Sequence, residues 1–325
     1  MIGLKQHYQE ILNELGFNFS EFVIEEADKG RLLIKGTFRG DPSLIKIYHK
    51  NPEILERVDK EFTVDRMLDR FNSKHPDSKI LKTDVIQKGE AGEFVWLIRR
   101  YYNGSSLADP RGKLKDLNAL FNHDLVQEKF VYSKEKILDQ ILNYLDSLQL
   151  IDGKFIELAG LSRNQVKPRF PLAVTNHPVT DLERQFQFSL SNQVEFFFGI
   201  KTLLLSKDNT TASVGDLLPS NIIIDKNFGV RFSDLELFCL DNRLSDLTYL
   251  WLFLWRLPDW QKYLVDRKIK TKEDKDLFRA VVIRTVTTNS EWFDRLPDNE
   301  NRNNHIWVRY LKAAGESFEA IIKTK

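Results

Sequence analysis

The chain has 325 residues, of which 42% are hydrophobic and 29% are charged, a length and composition that fit about two domains or one bilobal unit. Its 48 Lys and Arg residues against 47 Asp and Glu residues exclude a strongly basic nucleic-acid-binding protein, and its single cysteine, Cys239, excludes a disulfide framework. The longest apolar stretch is far shorter than the roughly 20 residues that a bilayer span needs, so we expect a cytoplasmic protein with no membrane span and no nucleic-acid partner.

The first hundred residues predict a strand-rich region with one long helix inside it. Apolar alternation between short turns indicates strands, and the first three are expected to form an antiparallel meander. We expect strands at Phe22–Glu25, Arg31–Phe38, Ser43–Tyr48, Ile80–Val85 and Glu93–Tyr102. Between the third strand and the fourth, apolar residues near positions i, i+4 and i+8 predict a helix from Pro52 to Phe71.

A polar, turn-rich segment at Tyr102–Ser106 marks the expected boundary between two lobes, residues 1–103 and residues 104–325. Beyond it the pattern is mainly helical. Ser133–Leu150 carries an apolar face, and Thr180–Glu183 is a capping box that is expected to open a long helix. The sequence thus predicts a bilobal α+β fold, with a small N-terminal lobe built on an antiparallel sheet and a larger, mainly helical C-terminal lobe.

The segment from Val214 to Asp246 carries the clearest chemical pattern. Asp216 and Asn221 are separated by four residues, and a short apolar strand, a hairpin turn and a return strand then lead to Asp234. Because a hairpin brings its two ends together, we expect Asn221 and Asp234 to face each other at its open end. An amide oxygen and a carboxylate suit a hard cation such as Mg²⁺, and Asp216 is placed to accept a proton from a hydroxyl. Phosphoryl transfer needs these same groups.

Each of these three residues alone is more often a turn-capping residue than a functional one, because Asp and Asn side chains readily bond the backbone of turns. The functional interpretation rests on their joint occurrence, with apolar strands between them. It also rests on Lys46, which stands in the middle of the strand SLIKIY between two apolar neighbours. A lysine there is costly unless its ammonium finds anionic partners. The alternative is an edge strand that leaves Lys46 in solvent.

The segments GDLLPSN and FSDLE resemble the catalytic and metal-binding motifs of the aminoglycoside phosphotransferase and choline kinase family. That family has a protein-kinase-like bilobal fold and uses Mg-ATP to phosphorylate hydroxyls of small molecules. The resemblance implies that Asp216 is the catalytic base, that Asn221 and Asp234 hold Mg²⁺, and that Asp246 braces the catalytic loop. It also implies ATP and Mg²⁺ as cofactors and a small-molecule hydroxyl as acceptor.

The resemblance extends to the N-terminal region. It implies that Lys46 contacts the α- and β-phosphates and pairs with a helix glutamate, for which Glu61 is the first choice and Glu56 the second.

The strand that ends in the segment NGSSL is similar to the hinge between the lobes of the family. The resemblance implies that backbone groups of Arg100, Tyr101 and Tyr102 hydrogen-bond adenine.

Departures from the family pattern leave a second interpretation open. Val214 and Leu218 stand where the family usually has histidines, and only Gly30 lies between the first two strands, so a glycine-rich phosphate loop is lacking. The chain is therefore either an active phosphotransferase or a catalytically inactive binding module of the same fold.

Two features bear on the acceptor, and they point to opposite charges. Late tryptophans, among them Trp251 and Trp255, could form an aromatic cage for a cation, or they could simply pack in a core. The basic segment Ser162–Arg169 could attract an anionic acceptor, or it could be a solvated loop. The charge of the acceptor stays open at this point, and nothing in the sequence indicates an oligomeric state.

Overall fold

The computed structural model describes residues 2–26, 31–108, 126–161, 211–254 and 256–294. In chain order the α-helices are α1 (Ile2–Leu15), α2 (Pro52–Lys74), α3 (Glu128–Val131), α4 (Lys134–Leu148), α5 (Gly153–Leu158), α6 (Ser245–Phe253), α7 (Pro258–Lys268) and α8 (Lys272–Asp294). The strands are β1 (Phe17–Glu26), β2 (Arg31–Phe38), β3 (Asp41–His49), β4 (Val85–Ala91), β5 (Phe94–Arg100), β6 (Gly104–Ser106), β7 (Thr211–Ser213), β8 (Ile222–Asp225), β9 (Val230–Phe232) and β10 (Cys239–Asp241).

A five-stranded antiparallel sheet in the order β1-β2-β3-β5-β4 dominates the N-terminal region. Alternation along the strands divides their side chains between two faces. One face packs on α1 through residues such as Ile34, Ile45 and Ile98. The other carries Leu97 and packs on α2 through Val58. Because Lys46 stands opposite Leu33 and Leu97 in the register, it lies on the face that α2 covers.

Helix α2 begins where the sequence supplies a cap and a proline. Asn51 Oδ1 accepts a hydrogen bond from the backbone N–H of Ile54 at 2.9 Å, and Pro52 occupies the first turn, where its missing N–H costs nothing. The helix buries Val64, Leu68 and Phe71 in the main core, so that it connects the sheet to the rest of the molecule.

The C-terminal region is mainly helical around a second, larger core. The predicted apolar face of α4 is buried as expected, with Ile137, Ile141, Leu145 and Leu148 all 6% exposed or less. Two small sheets, β6-β8-β9 and β10-β7, lie beside these helices. An antiparallel sheet followed by a mainly helical region confirms the expected fold class.

Most predicted elements that fall on described residues are present. Two predictions are wrong, one for the strand before Val85 and one for the turn-rich segment at Tyr102–Ser106. The strand expected at Ile80–Val85 begins only at Val85, because Leu81 and Thr83 bond β9 instead of the main sheet. The expected turn-rich boundary contains the short strand β6, which pairs with β8. Placing the lobe boundary at residue 103 stays a prediction.

Several predicted features lie outside the described residues, namely the basic segment Ser162–Arg169, the capping box Thr180–Glu183, Gly30 and Trp255. Among the described tryptophans, Trp251 and Trp260 are each 2% exposed in the main core, and Trp251 packs edge-on against Phe278. These two rings are therefore core residues. None of the described helices combines the length and apolar character that crossing a membrane requires.

Candidate active site

Lys46 is the centre of a buried ion cluster between the sheet, α2 and the segment after β9. Its side chain is 2% exposed, and its Nζ lies 2.9 Å from Glu61 Oε2 and 2.7 Å from Asp234 Oδ1. The expected pairing with Glu61 is thus formed, whereas Glu56 is exposed. The solvent-exposed alternative for Lys46 is wrong, because β3 is the central strand of the sheet.

Electrostatics keep both members of the Lys46–Asp234 pair charged. Burial alone would lower the pKa of Lys46, but the carboxylates of Asp234 and Glu61 outweigh it and raise that pKa above its ordinary value. Burial alone would raise the pKa of Asp234, but Lys46 and Arg99 hold it well below the usual range. At neutral pH the cluster therefore presents an ammonium and a carboxylate.

Glu236 is a third carboxylate at this position that the sequence reasoning missed. One carboxylate oxygen from each of Glu61, Asp234 and Glu236 lies within 4.8 Å of the others, a spacing that fits a single hard cation. Burial raises the pKa of Glu236, and the charge of Asp234 adds to that rise. The segment FSDLE contained the signal, because Asp234 and Glu236 stand two positions apart around a short 3₁₀ turn.

Asp234 has an unusual backbone conformation that helps to place it. Its φ and ψ are both 62°, in the left-handed region that non-glycine residues seldom occupy. Residues held in such conformations cluster at functional sites, where the surrounding structure imposes them. Here Asp234 adopts this conformation two residues after β9 ends, and its carboxylate contacts Lys46.

Asn221 and Asp216 meet at the open end of the β8–β9 hairpin. Asn221 Nδ2 donates to the backbone oxygen of Asp216 at 3.0 Å and lies 3.4 Å from Asp216 Oδ2. The backbone N–H and the hydroxyl of Ser233 both donate to the backbone oxygen of Asn221. Asn221 is therefore next to the residue that precedes Asp234, as the hairpin predicted. Because its amide nitrogen is engaged in the loop, its Oδ1 is the atom suited to bind a cation.

Asp246, at the start of α6, holds the backbone just before Asp216. Its Oδ1 accepts hydrogen bonds from Ser213 Oγ at 2.9 Å and from the Gly215 N–H at 3.2 Å, and its Oδ2 accepts from the Val214 N–H at 2.8 Å. Burial raises the pKa of Asp246 to about 6 even though these donors act to lower it. The bracing contact uses only the backbone of Val214, so a histidine side chain is not needed for it.

Gly215 cannot be another residue without moving the loop. Its φ is +82°, and a Cβ at this position would lie 2.0 Å from the backbone oxygen of Leu237. The glycine before Asp216 thus reflects close packing of this loop against the segment that follows Asp234.

The predicted hinge is held by backbone and side-chain contacts. The N–H groups of Arg100 and Tyr101 donate to the carbonyls of Asp84 and Pro42, at 2.8 Å and 2.9 Å. The Tyr102 hydroxyl donates to the Asp84 carboxylate. The Tyr102 carbonyl also accepts from the Gly104 N–H, at 2.8 Å. The predicted hydrogen bonds to adenine would therefore use backbone groups of this segment other than these three.

Three further basic residues lie on the sheet face that carries Lys46. Arg31 and Lys35 flank Leu33 on β2, and alternation puts all three on the same face as Lys46. Lys35 Nζ lies 4.5 Å from the centre of the Tyr101 ring, so cationic groups extend from the hinge past Lys46 to Arg31. The third is Arg99, whose exposed fraction is 7%. Its Nη1 is 3.6 Å from Glu61 Oε1, and its Nε and Nη1 make no hydrogen bond.

No protein-family model and no curated protein sequence matches the chain. Solved structures match it over nearly its whole length. Aminoglycoside phosphotransferase APH(4)-Ia, in a ternary complex with ADP and hygromycin B, has a TM-score of 0.59 at 12% identity, covering 98% of this chain and 99% of that one. The chain has the aminoglycoside phosphotransferase fold.

Two other structures with the aminoglycoside phosphotransferase fold lead to the same result. Aminoglycoside 2'-phosphotransferase-IIIa, as its GDP complex, has a TM-score of 0.54 at 14% identity, covering 97% of this chain and 99% of that one. Spectinomycin phosphotransferase APH(9)-Ia, with ADP and spectinomycin, has a TM-score of 0.56 at 11% identity, covering 98% of each chain. At such identities the likeness shows the fold alone.

Proposed function

We propose that the chain is an ATP- and Mg²⁺-dependent phosphotransferase that acts on a hydroxyl of a small molecule. The observation that carries this proposal is the cluster of Lys46, Glu61 and Asp234, together with Asp216 and Asn221 at the end of the same hairpin. The nucleotides and small molecules bound by proteins of the same fold support it.

The carboxylates of Asp234 and Glu236 and the amide oxygen of Asn221 would hold the ion. When bound, Mg²⁺ supplies positive charge that neutralises the β- and γ-phosphate oxygens. The Lys46 ammonium donates one hydrogen bond to Glu61 and one to Asp234. Once Asp234 serves as a metal ligand, Glu61 continues to orient Lys46, whose ammonium can donate to the phosphates.

Asp216 would act on the acceptor. Its carboxylate takes the proton of the acceptor hydroxyl as the oxygen of that hydroxyl forms a bond to the γ-phosphorus. The bond between the γ-phosphorus and the β,γ-bridging oxygen breaks, and ADP leaves. Asp246 and Gly215 fix the backbone before Asp216, so that the base is held in place before the acceptor binds.

The rival interpretation, a catalytically inactive binding module, rested partly on Val214 and Leu218. Val214 contributes its N–H to the brace, and Leu218 packs against the main core, so both residues have a structural use. The two interpretations differ in what Asp216 does, because a binding module needs no base.

The test is Asp216→Asn, which keeps size and shape but removes the basic carboxylate. We expect Mg-ATP affinity by calorimetry to stay close to wild type, since Asn221, Asp234 and Glu236 are unchanged. Single-turnover transfer from γ-labelled ATP to a panel of amino alcohols, sugars and aminoglycosides should fall by about 10²–10⁴-fold or more. Asp225→Asn, at the end of β8 where the same hairpin turns, is the matched control, and its Oδ1 can still accept from the N–H groups of Asn227 and Gly229. If Asp216→Asn lost affinity but kept its transfer rate per bound nucleotide, Asp216 would serve the nucleotide and not the acceptor.

A further inference from the structure

A second ion cluster, centred on the buried residues Lys82 and Asp65, joins α2 to the segment that leads into β4. Lys82, which is 2% exposed, places its Nζ 2.6 Å from Asp65 Oδ1 and 3.0 Å from Asp69 Oδ1, both on α2. The same Nζ is 3.2 Å from Asp84 Oδ1. Asp65 Oδ1 also accepts from the Val85 N–H at 3.1 Å, so α2 is tied to the first residue of β4.

The backbone around Lys82 is bound to the strand that leads to Asp234. Phe232 N–H donates to the Leu81 carbonyl at 2.9 Å, and Thr83 N–H donates to the Phe232 carbonyl at 2.8 Å. Lys82 and Phe232 form a parallel bridge. Phe232 precedes Asp234 by two residues, so the backbone of residues 81–83 sets the position from which Asp234 departs.

The side chain of Lys82 acts on the position of Glu61, the other carboxylate that Lys46 contacts. Asp65 follows Glu61 by one helical turn, and residues four apart lie on the same side of a helix. Asp65 is fully buried, and its Oδ2 has no hydrogen-bond partner, so Lys82 supplies the positive charge that its carboxylate contacts. The backbone on either side of Lys82 is thus bound to Phe232, two residues before Asp234, and the Lys82 ammonium contacts the helix that carries Glu61.

We propose that Lys82 is a positioning residue, which fixes the separation between Glu61 and Asp234 so that Lys46 can contact both. Its consequence for catalysis rests on the proposed function, whereas its consequence for the geometry of Lys46 does not.

Hinge contacts extend the Lys82 cluster. The Tyr102 hydroxyl donates to Asp84, and the Arg231 guanidinium lies 4.0 Å from the centre of the Tyr102 ring. Arg231 Nη1 also donates to the Lys82 carbonyl at 3.4 Å. The residues around Lys82 therefore contact the predicted hinge, α2 and the β8–β9 hairpin.

The test uses the double variant Lys82→Met with Asp65→Leu, which removes both buried charges and leaves no unpaired ion in the interior. Its matched control is Lys88→Met with Asp59→Asn. That pair also joins β4 to α2, but it lies at the surface, with side chains 33% and 54% exposed.

The first measurement is a ligand-free crystal structure of the double variant. We expect Lys46 to lose hydrogen-bond contact with Glu61 or Asp234, while the control variant keeps both contacts. A double variant that keeps both contacts would overturn the inference whatever the protein does with nucleotide. A double variant that does not fold would also overturn it, since Lys82 would then have a structural role only.

The second measurement separates positioning from general stabilisation. We expect kcat for Mg-ATP turnover to fall by about 10²-fold in the double variant, as for a misplacement of about 1 Å. In a Lys46→Met background the same double change should cost nothing further, because Lys82 acts through Lys46. An equal loss in both backgrounds would overturn the inference. A wild-type protein that does not turn over ATP would refute the proposed function, and the crystal structure would still decide on Lys82.

Discussion

Two partners compete for the carboxylate of Asp234, namely the Lys46 ammonium and the proposed Mg²⁺ ion. Asp234 accepts a hydrogen bond from Lys46, and it is proposed to bind Mg²⁺ through the same carboxylate. Both uses require the ionised form, which its lowered pKa maintains at neutral pH. The charges of Lys46 and Asp234 are thus complementary, and Glu61 would remain a partner of Lys46 if Asp234 bound a metal ion.

This dual use leads to a prediction for Asp234→Asn. The amide keeps the shape of the side chain but is a neutral and weaker ligand, and Lys46 retains Glu61, so we expect a folded protein. Mg²⁺ should raise the ATP affinity of wild type, and in the variant that gain should shrink by at least about tenfold, which is about 1.4 kcal/mol. Calorimetric titrations of ATP with and without Mg²⁺ provide the measurement. An unchanged gain would show that Asp234 is not a ligand.

At the scale of residues, the sequence predicted those site members whose type conflicts with their surroundings. Lys46 stands between apolar neighbours, and Asp216, Asn221 and Asp234 interrupt a strand pattern at fixed spacing. Arg99 was missed for the opposite reason, because a charged residue near the end of a strand is ordinary unless its burial is known. Its exposed fraction of 7% reflects its place on an inner strand, on the sheet face that α2 covers.

At the scale of elements, the loop that carries Asp216 is held by a helix about thirty residues later in the chain. Asp246 in the first turn of α6 accepts three hydrogen bonds from Ser213, Val214 and Gly215. A carboxylate that accepts several donors is strongly oriented, but burial makes its charge costly. The loop before Asp216 is therefore held by Asp246, a carboxyl group whose ionised form is made less stable by burial.

The raised pKa of Asp246 predicts a pH dependence of stability. Its folded-state pKa of about 6 lies above the roughly 3.9 of an unfolded chain. The folded protein therefore binds this proton more tightly, and the resulting stabilisation is complete below pH 4 and lost as the pH rises through 6. The free energy of unfolding of wild type minus that of Asp246→Asn should fall by roughly 2 kcal/mol between pH 4 and pH 7. Denaturant unfolding measures it, and a flat or rising difference would contradict this account of Asp246.

Elements were predictable where local pattern and final pairing agree. Strand β2 has the predicted bounds because its apolar alternation matches the two faces of the sheet. The segment before Val85 was mistaken for part of a strand because Ile80 and Leu81 are apolar. Its actual partner is β9, more than a hundred residues later, and no local pattern identifies such a partner.

At the scale of the whole molecule, charged contacts join the sheet-rich region to the helical region. Lys46 reaches Asp234 across 188 positions of the chain, and the segment around Lys82 pairs with β9. These contacts connect short motifs far apart in sequence. The two motifs that carry these residues are only five and seven residues long. They were enough to indicate a fold that the solved structures share at 11–14% sequence identity.

The identity of the acceptor was not predictable from the sequence, and neither were the side chains that would contact it. Specificity is a property of pocket shape and of the groups that line it, which depend on long-range packing. Trp251 illustrates the difficulty, because an aromatic residue on a helix face fits both a cage and a core, and only its burial shows that it belongs to the core.

Transfer of phosphate to water tests the central claim without knowledge of the acceptor. Water can enter an empty acceptor site, where Asp216 can take its proton, so the proposed enzyme should slowly hydrolyse ATP. The measurement is the release of labelled phosphate from γ-labelled ATP, with and without Mg²⁺, by wild type, Asp216→Asn and Asp225→Asn. The account predicts Mg²⁺-dependent release by wild type and Asp225→Asn, and release at least about 10²-fold slower by Asp216→Asn. Equal release by all three proteins, or none by wild type, would contradict it.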